Sequence, residues 1–175
     1  MEERNIHNQK DDFKPDLLIF ASGCFLRSSR FAGVGIVFYR EDSVFRKSVR
    51  FSSRHLTSHY MRIKAVVTAL DLLKGRCRVV VYSDNQSDII ARMKKEQTFW
   101  RSRKGRRAIA DSEVSGLQSR LCERFNELCS IHEVKFVLIT KKNSKGQFKR
   151  QISVSRGLAI SEAQGLDTRN GNDEL

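Results

Sequence analysis

The chain has 175 residues, long enough for one well-buried domain and short for two, with 33 Lys and Arg against 20 Asp and Glu and a formal net charge of +13. That balance favours polyanionic partners, nucleic acid first, with general solubility or an acidic protein partner as the alternative. No apolar run approaches the length needed to cross a bilayer and the start of the chain lacks a signal-peptide pattern. The expectation is therefore a soluble intracellular protein, nuclear or cytoplasmic with the nucleus favoured, with no membrane association and no small-molecule substrate.

Residues 1–15 carry only Met1, Ile6 and Phe13 as large apolar groups, and residues 165–175 are polar in the same way. Both read as flexible tails around a single domain at 16–164. The apolar run at 17–24 suits a central strand. Segments 33–39 and 44–51 alternate or cluster β-branched and aromatic residues around the polar turn Arg40-Glu41-Asp42-Ser43, so a hairpin follows and three antiparallel strands open the domain. Thr57 caps a helix that runs to about Leu73, with Met61, Ala65, Val66, Ala69, Leu70 and Leu73 as its apolar stripe and Gly75 ending it.

Segment 77–82, with Val79, Val80 and Val81 in succession, reads as a strand buried on both faces and reached by a parallel crossover. It leads into Ser83-Asp84-Asn85. Ile89 and Ile90 begin a short helix, after which 92–107 holds eight basic residues, one acidic residue and the pair Phe99-Trp100. Helical spacing returns at 111–129 through Val114, Leu117, Leu121, Phe125 and Leu128. A last strand at 134–139 and a last helix at 152–163 follow. The order predicts an α/β domain with a mixed sheet. Cys24, Cys77, Cys122 and Cys129 form no C-x-x-C pair and read as buried, reduced thiols. His7, His55, His59 and His132 lack neighbours at metal-ligand spacing and read as solvent-facing or capping groups.

Several separate segments, in this order, resemble the cellular ribonuclease H family. Phe20-Ala21-Ser22-Gly23-Cys24 stands where the family writes an aromatic, Thr, Asp, Gly and a small residue. Segment 30–37 matches the family's second-strand entry, in which Ala32-Gly33-Val34-Gly35 is read as a tight turn into the sheet. Thr57-Ser58-His59-Tyr60-Met61-Arg62 lies at Thr-Asn-x-x-Ala-Glu, Ser83-Asp84-Asn85 at Thr-Asp-Ser, 99–105 at the Trp- and Lys-rich protrusion, and Ser155-Arg156-Gly157-Leu158-Ala159 at Ala-Asp-x-Leu-Ala. The resemblance implies a five-stranded sheet in the order 3-2-1-4-5, three strands antiparallel and then two parallel, with helices on both faces.

It also implies where chemistry would sit. The family hydrolyses the RNA strand of a hybrid with two divalent ions held by four acidic positions, which here match Ser22, Arg62, Asp84 and Arg156. Only Asp84 is acidic, and the four side chains sum to about plus one, which repels a cation at short range. The two arginines are expected to approach Asp84 and occupy the space of the absent ions. The family's assisting His has no counterpart in 141–150, and no Asp or Glu occurs between Glu133 and Glu162. The expectation is a pseudoenzyme with no metal and no cofactor, residual metal-dependent hybrid cleavage being the minor alternative.

Binding residues follow from the same resemblance. Thr57, Ser58 and His59 stand where the family contacts the hybrid near its minor groove, although two amide side chains are replaced, and Ala110 falls where an Asn completes a phosphate pocket. Lys94, Lys95, Arg101, Arg103, Lys104, Arg106, Arg107, Lys141 and Lys142 supply phosphate attraction, and Trp100 a ring for stacking on a base or sugar. A localisation signal, or a solvated loop with Trp100 in the core, remains open for this segment. So does a second class of function, a scaffold that holds protein partners on a sheet or helix face, which exposed phenylalanines would favour.

Overall fold

The computed structural model describes residues 13–52, 57–83, 113–139 and 145–165. β1 (Leu17–Leu26), β2 (Phe31–Arg40) and β3 (Ser43–Ser52) form the antiparallel meander, and only Glu41 and Asp42 separate the Arg40↔Ser43 rung. α1 (Ser58–Asp71) crosses back to β4 (Arg78–Ser83), which pairs parallel with β1. α2 (Glu113–Ile131) leads to β5 (Glu133–Leu138), parallel to β4, and α3 (Lys149–Gln164) closes the described chain. The sheet order is β3-β2-β1-β4-β5, as the resemblance implies.

Two cores lie on opposite faces of the sheet. Ile19, Ala21, Val34, Ile36, Val79 and Val81 pack on α1 and α2, and alternation along the strands sends Phe20, Val37 and Tyr82 the other way toward Ile152, Phe148 and Leu158 of the α3 region. The Phe20 and Tyr82 rings stack at 4.8 Å between centroids. β4 differs from its reading as a strand buried on both sides. Val79 and Val81 are buried, but Val80 and Tyr82 are half-buried, because α3 lies mainly over β1 and β2 and the α3 region meets β4 only through Tyr82 against Phe148.

Two further details depart from the pattern. α1 begins as expected, with the Thr57 hydroxyl accepting from the Tyr60 amide at 3.1 Å, but it ends at Asp71 with Leu72 as a right-handed cap, before Gly75 is reached. Gly33 and Gly35 are not turn residues either. Both lie inside β2, and a Cβ on Gly35 would overlap the Ser155 carbonyl and stand 2.7 Å from the Ala159 nitrogen. Glycine is needed there because the α3 backbone rests directly on the strand.

Cys122 is buried and Cys24, Cys77 and Cys129 are half-buried, none of the four in a disulfide; burial pushes the Cys129 thiol up to about 11. His132 is 5% exposed rather than solvent-facing, and its Nδ1 accepts from the Cys77 amide at 3.3 Å. Burial holds its pKa below the usual value. In the unfolded chain the ring titrates near 6.5, so the native state binds fewer protons than the unfolded state below that pH. The stability contributed by the neutral ring is complete above about pH 6.5 and is lost as pH falls through the depressed native pKa. Urea midpoints measured from pH 8 downward should show this loss, and His132→Asn, whose amide oxygen can accept the same bond but does not titrate, should remove that part of the slope. An identical pH profile in the variant would assign the effect elsewhere.

Candidate functional site

The candidate site is built around Ser22, in the middle of β1. β1 and β4 run parallel with Ala21 beside Ser83, so the next residues along each chain are Ser22 and Asp84. Asp84 itself lies outside the described residues, as do Lys94, Lys95, Trp100, Arg101, Arg103, Lys104, Arg106, Arg107, Lys141 and Lys142. Alternation directs Ser22 toward α3, where its Oγ stands 3.1 Å from Ser155 Oγ. Ser155 donates its own proton to the Ile152 carbonyl at 3.0 Å, so Ser22 donates to Ser155. Both hydroxyls are shut away from water, Ser22 at 2% exposure and Ser155 at 0%.

The next residue, Gly23, faces the opposite way. A Cβ there would overlap the Met61 carbonyl and approach the Arg62 nitrogen to 2.7 Å, so the α1 backbone presses on β1 one residue from Ser22. Arg62 thus stands at β1 on one face of the sheet, while Arg156, bonded to Ser155, stands at β1 on the other. Both arginines are half-buried. The fold therefore gathers three of the four sequence-assigned positions, 22, 62 and 156, around one point of β1, beside the strand end that carries the fourth.

Ser83 adds a group that the sequence did not flag. It faces the α1 side, is 4% exposed, and its Oγ has no hydrogen-bond partner among the described residues. Ser155 was also missed, and the only available signal was a small polar residue beside Arg156 on a helix whose other inward positions are Ile152, Ala159 and Ala163. Of the residues assigned to nucleic-acid contact, Thr57 and Ser58 are exposed at the start of α1, with the Thr57 hydroxyl engaged in capping; the His59 side chain lies outside the described residues. Among the described residues no three of His, Cys, Asp and Glu come together as a metal cage.

This sheet order with helices on both faces is the ribonuclease H fold. Among solved structures the chain is similar to a prototype foamy virus protease-reverse transcriptase, with a TM-score of 0.64 and 17% identity over 93% of this chain. It spans only 23% of that viral polypeptide. It is also similar to a type 1 ribonuclease H carrying the type 2 active-site motif, with a TM-score of 0.61 and 17% identity over 91% of this chain and 77% of the other. The ribonuclease H family model matches residues 14–146. The ribonuclease H of Syntrophus aciditrophicus (strain SB) is 30% identical over 128 residues, 73% of this chain and 71% of the relative. That of Desulforamulus reducens is 28% identical over 129 residues. The chain belongs to the ribonuclease H family.

Proposed function

We propose that this ribonuclease H domain binds nucleic acid through its basic surface without cleaving it. The observation that carries the reading is the state of position 22. Where the family's first carboxylate would face two divalent ions, the chain has a buried hydroxyl bonded to Ser155, flanked by the Arg62 and Arg156 segments. Hard cations need several anionic oxygens, and this donor set does not fit them. No hydrolytic step is therefore assigned to a metal. Arg62 and Arg156 instead bring positive charge to this point of β1 from the two faces of the sheet, which further opposes a divalent ion.

Nucleic-acid binding is supported by the net charge of +13 and by five cations, Arg101, Arg103, Lys104, Arg106 and Arg107, beside Trp100. A protein of the same fold, the foamy viral protease-reverse transcriptase, has been solved in complex with an RNA/DNA hybrid. Phosphate contacts by Lys and Arg release counterions, so affinity falls with salt at a slope of roughly 0.7 to 0.9 per contact on a log-log scale. The test is fluorescence anisotropy with labelled duplex, hybrid and single strands at two salt concentrations. Replacing the five cations by Ser should weaken all three alike and flatten the salt slope while leaving the circular dichroism spectrum unchanged. Absence of binding by the wild type at low salt would overturn the reading and leave a localisation signal as the use of this segment.

A further inference from the structure

β3 is the terminal strand on its side of the sheet. Its ten residues form an unbroken ladder with β2 from Ser43 to Ser52, so the opposite edge offers a straight row of backbone donors and acceptors. Natural edges of this length are usually interrupted by proline or a bulge, or are guarded by charge. β3 contains neither proline nor bulge, and its guard is entirely cationic: Arg46, Lys47 and Arg50 with no acidic residue. Arg50 is engaged over the Phe31 ring at 4.0 Å, whereas Arg46 and Lys47 are exposed and make no ion pair among the described residues.

Beside those two cations lie Val44, 50% exposed, and Phe45, 58% exposed, the latter alone among the described phenylalanines in facing solvent to this degree. The register places Phe45 and Lys47 toward the α1 side, opposite Phe38 and Ile36, and Val44 and Arg46 toward the α3 side. Each face of the edge therefore carries one apolar and one cationic group. A second copy pairing antiparallel here would set cations against cations, which destabilises a strand pair. The complementary occupant is extended, acidic and partly apolar.

We propose that the outer edge of β3, which pairs with no further strand among the described residues, is a docking strand for an acidic, extended peptide segment of a partner protein, which adds to the sheet with carboxylates against Arg46 and Lys47 and an apolar side chain against Phe45. The inference is independent of the nucleic-acid reading. A nucleic acid could use the cations and the ring, but it would leave the backbone ladder unpaired.

The probe is a fluorescein-labelled ten-residue peptide in which pairs of Glu alternate with pairs of Val or Thr, so that each face of the extended strand carries both carboxylates and apolar groups, titrated by anisotropy against the full chain. A copy of the peptide N-methylated at every residue, which keeps no amide donor on either edge and cannot form a ladder, should not bind. R46E/K47E should weaken binding at least about 10-fold, with R46S/K47S as a milder variant should the first fail to fold. Saturating peptide should slow amide exchange within 43–52 at least about 10-fold. Equal binding of the methylated peptide, or no protection of β3, would overturn the proposal. So would a single-stranded oligonucleotide that gives the same β3 protection, or sedimentation showing a β3-dependent dimer without peptide.

Discussion

Purified protein supplied with magnesium or manganese is expected to leave a labelled RNA–DNA hybrid uncut. The two-metal reaction needs one ion to activate water and another to stabilise the leaving oxygen, both held by carboxylates. At the matching positions this chain offers Ser22, Arg62 and Arg156, and Asp84 alone is acidic. Two guanidinium groups repel an incoming divalent ion, and the Ser22 oxygen is 2% exposed and already bonded to Ser155. Loss of such a site removes acceleration on the order of 10⁶-fold or more, enough to put turnover below detection in an overnight gel assay. Asp84→Asn is the control. Cleavage that survives it comes from a contaminating nuclease, whereas cleavage that it abolishes would sink the pseudoenzyme reading.

The second large effect is on stability, and it separates two glycines of the α3 region by sign. Gly35→Ala puts a methyl group into the Ser155 carbonyl and 2.7 Å from the Ala159 nitrogen, both backbone atoms that cannot rotate aside. Overpacking usually costs about 1–3 kcal/mol, and a clash with helix backbone belongs at or above the upper end. A loss of about 3 kcal/mol corresponds to a melting temperature lower by roughly 6–12 °C in a domain of this size. Gly157→Ala should do the opposite. A Cβ on Gly157 meets nothing within 4 Å on the exposed side of α3, so the change gains roughly 0.5–1 kcal/mol of helix propensity. Calorimetry of the two variants reads both shifts. A Gly35→Ala protein as stable as the wild type would mean that α3 does not rest on β2 as described.

Arg156, the buried Ser22–Ser155 bond and the β2–α3 contact belong to one assembly, because α3 reaches position 22 only by lying directly on Gly33 and Gly35. A shifted α3 would break the Ser22–Ser155 bond and move Arg156 together. The family model stops at residue 146, before α3, so this helix is placed by the fold rather than by that match.

Much of the architecture was legible in the chain itself. An apolar run and two segments of alternating or clustered apolar residues around a polar turn marked β1 to β3, the Thr57 cap fixed the start of α1, and the run Val79-Val80-Val81 marked a strand reached by a parallel crossover. Residue types at 22, 62 and 156 were enough to question metal chemistry, since a hydroxyl and two guanidinium groups cannot supply carboxylate oxygens wherever they lie. Tertiary structure alone decided the rest. Local pattern cannot reveal that Gly33 and Gly35 serve a helix more than 100 residues away, because close backbone approach leaves no periodic trace. It could not show that Ser22 is sealed by Ser155 rather than open to solvent, or that β4 is only half covered on its second face, since both depend on where α3 lies across the sheet. Nor could it show that Val44 and Phe45 remain exposed: an apolar residue in a strand reads as core, and only the sheet order shows that no described element covers that edge.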